Sequence, residues 1–403
     1  MVITGLALLG ALGMVLAGKA EAAFFPSLIS TLALFQLFIL SLVVLQGIKR
    51  LVKVDHKIAP GIFQVAMADI PSRIFMGAIC FISLLQLFLV ALNVDYAAIH
   101  LVLFACSIDL MIMFTQKFFS FSSVDGLLHQ FERQVESELK KRNPEGALSW
   151  CEAICQVGAS AIRDHNALQG AASLNTLYLG TEQLIAWAPL AQLFSSKYRI
   201  GADLPLVERL QVLIIYISQR VLWLMRDALH SNVLPIGEQA ISFSGRVSCY
   251  LVNKHPEIAH IPMVQLMANA QELASVEIEQ IEVHLAVTMS EVIKAMLYEA
   301  KVQKRVIIEP LMHLLRLLGL QMKSSYQRKS GQNIALLMQP FAEIAEMLAE
   351  PDLMSIEGMS QVKDELQRIF MQFSTLEAIQ TGTFDQPTET GFTATDSTSS
   401  FQQ

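Results

Sequence analysis

Apolar residues fill most of the first 120 positions in long runs, and beyond Ser122 they recur with the period of an α-helix. The runs 24–48, 74–93 and 97–116 are each long enough to cross roughly 30 Å of hydrocarbon, which takes about 20 helical residues. A shorter run covers 2–17. This pattern predicts an all-α chain. Residues 1–120 form a transmembrane bundle of three to four spans (near 2–17, 24–48, 74–93 and 97–116), followed by a cytosolic multi-helix domain and a disordered C-terminal tail.

Ser123 reads as the N-cap of a helix to about Arg142, and Asn143-Pro144 opens the next, to about Asp164. Another runs to about Trp187. The stretch 194–204, with Ser195, Ser196 and Gly201, reads as a linker, dividing the body into helical subdomains 121–193 and 205–380. In the second, helices are expected over 206–230, 236–253, 262–304, 306–322, 332–349 and 358–380. The helix at 206–230 buries Leu210, Leu213, Ile217 and Val221, while Glu208, Arg209, Arg220 and Arg226 argue against a further span. The tail, 381–403, has ten Ser or Thr among 23 residues and too few apolar groups to offset its conformational entropy. Thr381-Gly382-Thr383-Phe384 and Thr390-Gly391-Phe392 partly echo one another, as a docking peptide would.

Charge sets the orientation. Lys49, Arg50, Lys53, Lys57 and Arg73 cluster between the second and third spans, whereas Asn93-Val94-Asp95-Tyr96 carries no base. The positive-inside rule places 49–73 in the cytoplasm, so everything after Lys117 is cytoplasmic too. The expected location is the bacterial inner membrane. Segment 2–17 is open to two readings, a retained span with Gly10, Gly13 and Ala17 as a packing face, or a signal peptide cleaved near Ala20-Glu21-Ala22. Residues 1–120 hold seven Lys/Arg and five Asp/Glu; subtracting from 29 and 36 leaves 22 and 31 for the rest. A body with a net charge of −9 repels phosphate backbones, which argues against nucleic acid as a partner.

Asp109 lies inside the fourth span, where a carboxylate must be protonated, hydrogen-bonded or facing water or protein. The helical period and the short 93–96 turn place it near Ser83 and Gln86 of the third span, with Ser41 of the second at similar depth. Asp109, Ser83, Gln86 and Ser41 are therefore the expected intramembrane polar cluster, joining helices within the chain or between copies in a homo-oligomer.

Other chemistry is sparse. Cys151 and Cys155 supply two thiols one turn apart, without the further ligands zinc requires. His255, Glu257 and His260 are not on one helical face. Asp164, His165 and Asn166 sit at a helix junction, as caps or as part of a polar site. Lys323, Arg328 and Lys329 surround Tyr326 and could meet anionic headgroups. No phosphate loop, His-Glu-x-x-His or Gly-x-Ser-x-Gly occurs, so no cofactor or metal is expected. The sequence thus reads as a membrane-anchored, non-catalytic scaffold or adaptor meeting protein partners through its cytosolic domain. The alternatives are a transport or channel subunit using Asp109, and a membrane-surface enzyme with a site near Asp164 and His165.

Overall fold

A computed structural model of the chain describes residues 26–57, 70–92, 97–120, 123–187, 205–268, 279–304, 307–328 and 334–381, besides the single position 7. The run 2–17, the 93–96 turn, the 194–204 linker and the tail from 382 onward lie outside the described residues. Every regular element among them is helical. The chain divides into two compact units, residues 1–131 and 132–403.

The first unit contains α1 (Pro26–Lys57), α2 (Ile70–Ala91) and α3 (Ala97–Ser120). Each includes a stretch long and apolar enough to cross a membrane: Thr31–Val52, Pro71–Ala91 and Ala98–Lys117, of 22, 21 and 20 residues. The three helices pack on one another. Large apolar side chains such as Phe35, Phe38, Phe81, Leu84 and Phe88 are exposed, while Gln36, Ser83, Gln86, His100 and Asp109 are buried. That inversion of the ordinary soluble pattern suits a bundle whose solvent is lipid.

Helix α4 (Val124–Lys140) spans the division at 131/132, and Ser123 caps it by accepting a hydrogen bond from the Gly126 N–H at 3.2 Å. Then follow α5 (Pro144–Arg163), α6 (Ala167–Trp187), α7 (Leu206–His230), α8 (Leu234–Lys254), a 3-10 turn (Pro256–Ile258) and α9 (Ile261–Ala268). After these come α10 (Glu279–Gln303), α11 (Ile308–Arg328), α12 (Ile334–Leu348), α13 (Pro351–Met354) and α14 (Met359–Thr381).

One turn recurs between α4 and α5, α5 and α6, and α7 and α8. Its left-handed residue is Arg142, His165 or Asn232, with φ of 57°, 51° and 57°. In each, the next residue's N–H bonds back five positions, Asn143 to Glu138, Asn166 to Ala161 and Val233 to Ala228, all at 2.8 Å. These are Schellman closures, which satisfy the last carbonyls of the outgoing helix. Asn143 and Asn166 then cap the incoming helix, accepting from Gly146 at 3.1 Å and Gln169 at 3.2 Å.

The resulting hairpins stack in two layers. One layer holds α5, α7, α9, α11 and α14 in sequence, the other α6, α8, α10 and α12, with neighbours in each layer packed together. Along α8, α10 and α12, and along α11 and α14, the helices of a layer run parallel, because paired positions rise together. Gly237 meets Ile281, Ser242 meets His284 and Gly245 meets Thr288 along α8 and α10. Ser290, Lys294 and Lys301 of α10 meet Pro340, Glu343 and Glu350 on and just beyond α12. Arg316, Gly319 and Tyr326 of α11 meet Glu365, Ile369 and Phe373 of α14. This is the arrangement of an α-solenoid, in which each hairpin buries its apolar face against the next.

One expectation changes here. The helix expected over 262–304 is two helices in different layers: α9 packs on α7 and α10 on α8, places that one continuous helix cannot both fill. The helices before and after 194–204 also share a core, α5 with α7 and α6 with α8.

Candidate functional site

Down the middle of the membrane-length bundle the side chains change character. Leu40, Leu51, Ile79 and Phe114 form an apolar cluster, joined by Val44, Phe75, Met76 and Leu110. One turn from Leu40 on α1 stands Gln36, and one turn from Ile79 on α2 stands Ser83. The Ser83 hydroxyl donates to Gln36 Oε1 at 3.3 Å. One turn further, Gln86 Nε2 donates to the His100 carbonyl of α3 at 3.3 Å. Ser107 lies on the same side of α3 as His100, seven residues on, and closes its hydroxyl on the Phe104 carbonyl at 2.8 Å. Gln36, Ser83, Gln86 and His100 thus lie inside the half toward the 93–96 turn, while the apolar cluster lies toward Lys117, where Ser72 and Asp109 are also buried.

Of the expected cluster, Ser83 and Gln86 are brought together with Gln36 and His100. Asp109 is 4% exposed and in polar or electrostatic contact. It follows Ser107 by two residues, about 200° around the helix, and stands one turn from the buried Ala105. Ser41 is exposed and donates to the Leu37 carbonyl of its own helix. Gln36 and His100 were visible in the sequence as single polar residues within apolar runs, but only the packing reveals which face each occupies.

In the body, Asp164 and His165 are exposed and Asn166 is half-buried. Asp164 ends α5, His165 supplies the left-handed turn residue and Asn166 caps α6. Cys151 is buried and Cys155 half-buried. Burial, reinforced by neighbouring Cys155 and Glu152, pushes the Cys151 thiol far up; burial raises Cys155 to about 12, so neither is a ready thiolate. His255 Nδ1 stands 3.8 Å from Glu257, while His260 turns away to place its ring 5.5 Å from that of His313. Among the described residues no group of three or more His, Cys, Asp or Glu could hold a metal ion. Tyr326, at the centre of the expected basic patch, is 4% exposed and packs edge-on against Phe373. Lys323 is exposed, and Lys329 lies outside the described residues.

Several charges of the body tie helices together. Glu152 of α5 accepts from Tyr216 and from Arg220, the latter at 3.1 Å, across to α7. Burial, then the bond to Glu152, pushes the Tyr216 hydroxyl up to about 12. Lys294 bridges Glu291 and Glu343, Lys301 meets Glu350, and Glu365 accepts from both Arg316 and Arg368. Burial pushes Glu365 up, but its two guanidinium partners outweigh this and hold it below the ordinary carboxylate value. These pairs fix register between neighbouring helices. No known protein family, curated protein or solved structure matches the chain.

Proposed function

We propose that this chain is a membrane-anchored interaction platform. The apolar helices hold it in a bilayer, and the stacked body meets protein partners from the cytoplasmic side, without catalysis. The observation that carries the reading is the parallel run of helices within each layer. A stack of hairpins is built by nearest-neighbour contacts and offers long helical faces for binding other proteins. Basic residues at 49–73 support a cytoplasmic body, and we place the protein in a bacterial inner membrane. The bonds found in the bundle join helix to helix, Ser83 to Gln36 and Gln86 to the His100 carbonyl, which favours structural pairing of helices over conduction. Asp164, His165 and Asn166 act as a helix junction, which favours no enzyme.

The reading is tested by photo-crosslinkers placed in intact cells at the exposed Trp223, Tyr298 and Met371, which lie on three different helices. The expected result is one reproducible protein set whose yield depends on probe position. Capture of nothing, or of its own copies alone, would overturn the platform and return attention to Asp109.

A further inference from the structure

One cation in the body is held differently from those above. Arg246 of α8 lies 3.7 Å above the centre of the Tyr178 ring on α6, and its Nη1 donates to Asn175 Oδ1 at 2.8 Å. Tyr178 is itself fixed edge-on by Phe243, centroids 6.4 Å apart. Arg220, Lys294, Lys301, Arg316 and Arg368 each have a glutamate. The contacts of Arg246 are an aromatic face and a neutral amide. Burial, and after it Glu182, raises the Tyr178 and Tyr250 hydroxyls, and Glu182 makes no ion pair with Arg246 among the described residues. A guanidinium that is stacked, oriented, exposed and not neutralised is preorganised to take a carboxylate.

The surroundings narrow the occupant. Leu168, 85% exposed, lies seven residues before Asn175 on the same face of α6, roughly 10 Å along the helix. The face therefore offers an apolar contact and a cation about that far apart. Residues 382–403 carry Asp385, Glu389 and Asp396 with no Lys or Arg, and Phe384, Phe392 and Phe401. Phe392 and Asp396 are four residues apart, at most about 13 Å in an extended chain. From Thr381, where α14 ends, fifteen residues reach Asp396 and can cover about 50 Å. Three helix spacings from α14 back to α7 amount to roughly 30 Å, and crossing to α8 in the other layer adds about 10 Å.

We propose that the outward face of α6 and α8 docks the chain's own acidic C-terminal segment, Asp396 on Arg246 and Phe392 against Leu168. Docking would cover part of the platform until a competing acidic peptide displaces it, and the segment can come from the same or a neighbouring copy. The docking itself does not depend on the body's recruiting other proteins.

The test uses the full chain in detergent with a photo-crosslinking residue at Asn253, exposed and two turns from Arg246 on the same face of α8. Mass spectrometry should find the main product joined to a peptide within 382–403. Arg246→Glu or Asp396→Lys should each lower that yield about tenfold, and the two together should restore it. Unchanged hydrogen exchange in α6 and α8 checks the fold of the Arg246 variant, and the Asp396 variant leaves the stacked body untouched. Mixing isotopically labelled copies assigns the contact to one chain or two, and either supports the docking. Products joined to other segments, no product, or yields indifferent to both charge changes would overturn it.

Discussion

Gly170 is the sharpest probe of the stacking. A Cβ built there would lie 2.6 Å from Cγ1 of Ile236 on α8 and closer still to its Cδ1, and Ile236 is 0% exposed. Two effects oppose one another in Gly170→Ala. Alanine favours the helix by about 1 kcal/mol, whereas overpacking a full core costs about 1–3 kcal/mol. With no room for Ile236 to swing aside, overpacking wins and the substitution costs up to about 2 kcal/mol. Ile236→Ala removes the obstructing atoms and alone costs about 2–5 kcal/mol. On that background the alanine methyl enters the space left behind, so Gly170→Ala becomes stabilising by about 1 kcal/mol. The assay is amide hydrogen exchange of α6 and α8 in the full chain, where 1.4 kcal/mol is about tenfold in rate. Gly170→Ala should speed exchange in the native background and slow it in the Ile236→Ala background. Slower exchange in both would mean that α6 and α8 do not approach here, and the layer they define would fall with them.

Acid should loosen α9 selectively. Burial, then the nearby His313, depresses His260 against the smaller pull of Glu309, so its folded value lies below the unfolded 6.5. The stability it contributes is complete above about 6.5 and is lost as pH falls through the depressed value. Protection of 261–268 should therefore decline as pH falls below about 6.5, and His260→Asn should remove part of that decline; an identical profile in the variant would refute the assignment. Cys151 and Cys155 should resist iodoacetamide at pH 8 except on the timescale of unfolding, since burial holds both thiols protonated; prompt alkylation would contradict their packing. In the bundle, Gln36→Ala should weaken the α1–α2 contact by about 0.6–2 kcal/mol, read as lower thermal resistance in detergent. No change there would mean that the Ser83–Gln36 bond does not join the helices. Asp109→Asn should leave insertion and body stability intact, and loss of an ion-dependent activity in a folded variant would instead favour transport.

Hydrophobic period and capping chemistry made much of the fold legible. The helix expected over 206–230 is observed as Leu206–His230, because Pro205 starts it and the Ser231-Asn232 turn ends it. Ser123 and Asn143 cap where their side chains and spacing predict. The stack was not legible because its repeat has no constant length. Glu152 and Arg220 are 68 residues apart, Ser242 and His284 are 42, and Ser290 and Pro340 are 50, so no fixed period marks equivalent positions. A single helix was expected over 262–304 because α9 and α10 each bury an apolar face, though in different layers. In the bundle, Asp109 drew attention through its charge. The pairing among Gln36, Ser83, Gln86 and His100 depends on which helix lies against which, information that a single helix's period does not contain.

The claim on which the account rests is the parallel register of the body, and the native protein carries its own probe. Lys294 lies 2.8 Å from Glu343, and Lys301 contacts Glu350. Zero-length carbodiimide coupling of the full chain in native membranes, read by mass spectrometry, should join Lys294 to Glu343 and Lys301 to Glu350. Products joining Lys294 to Glu350 and Lys301 to Glu343 would mean that α10 and α12 run antiparallel, and would contradict the stack and the platform inferred from it.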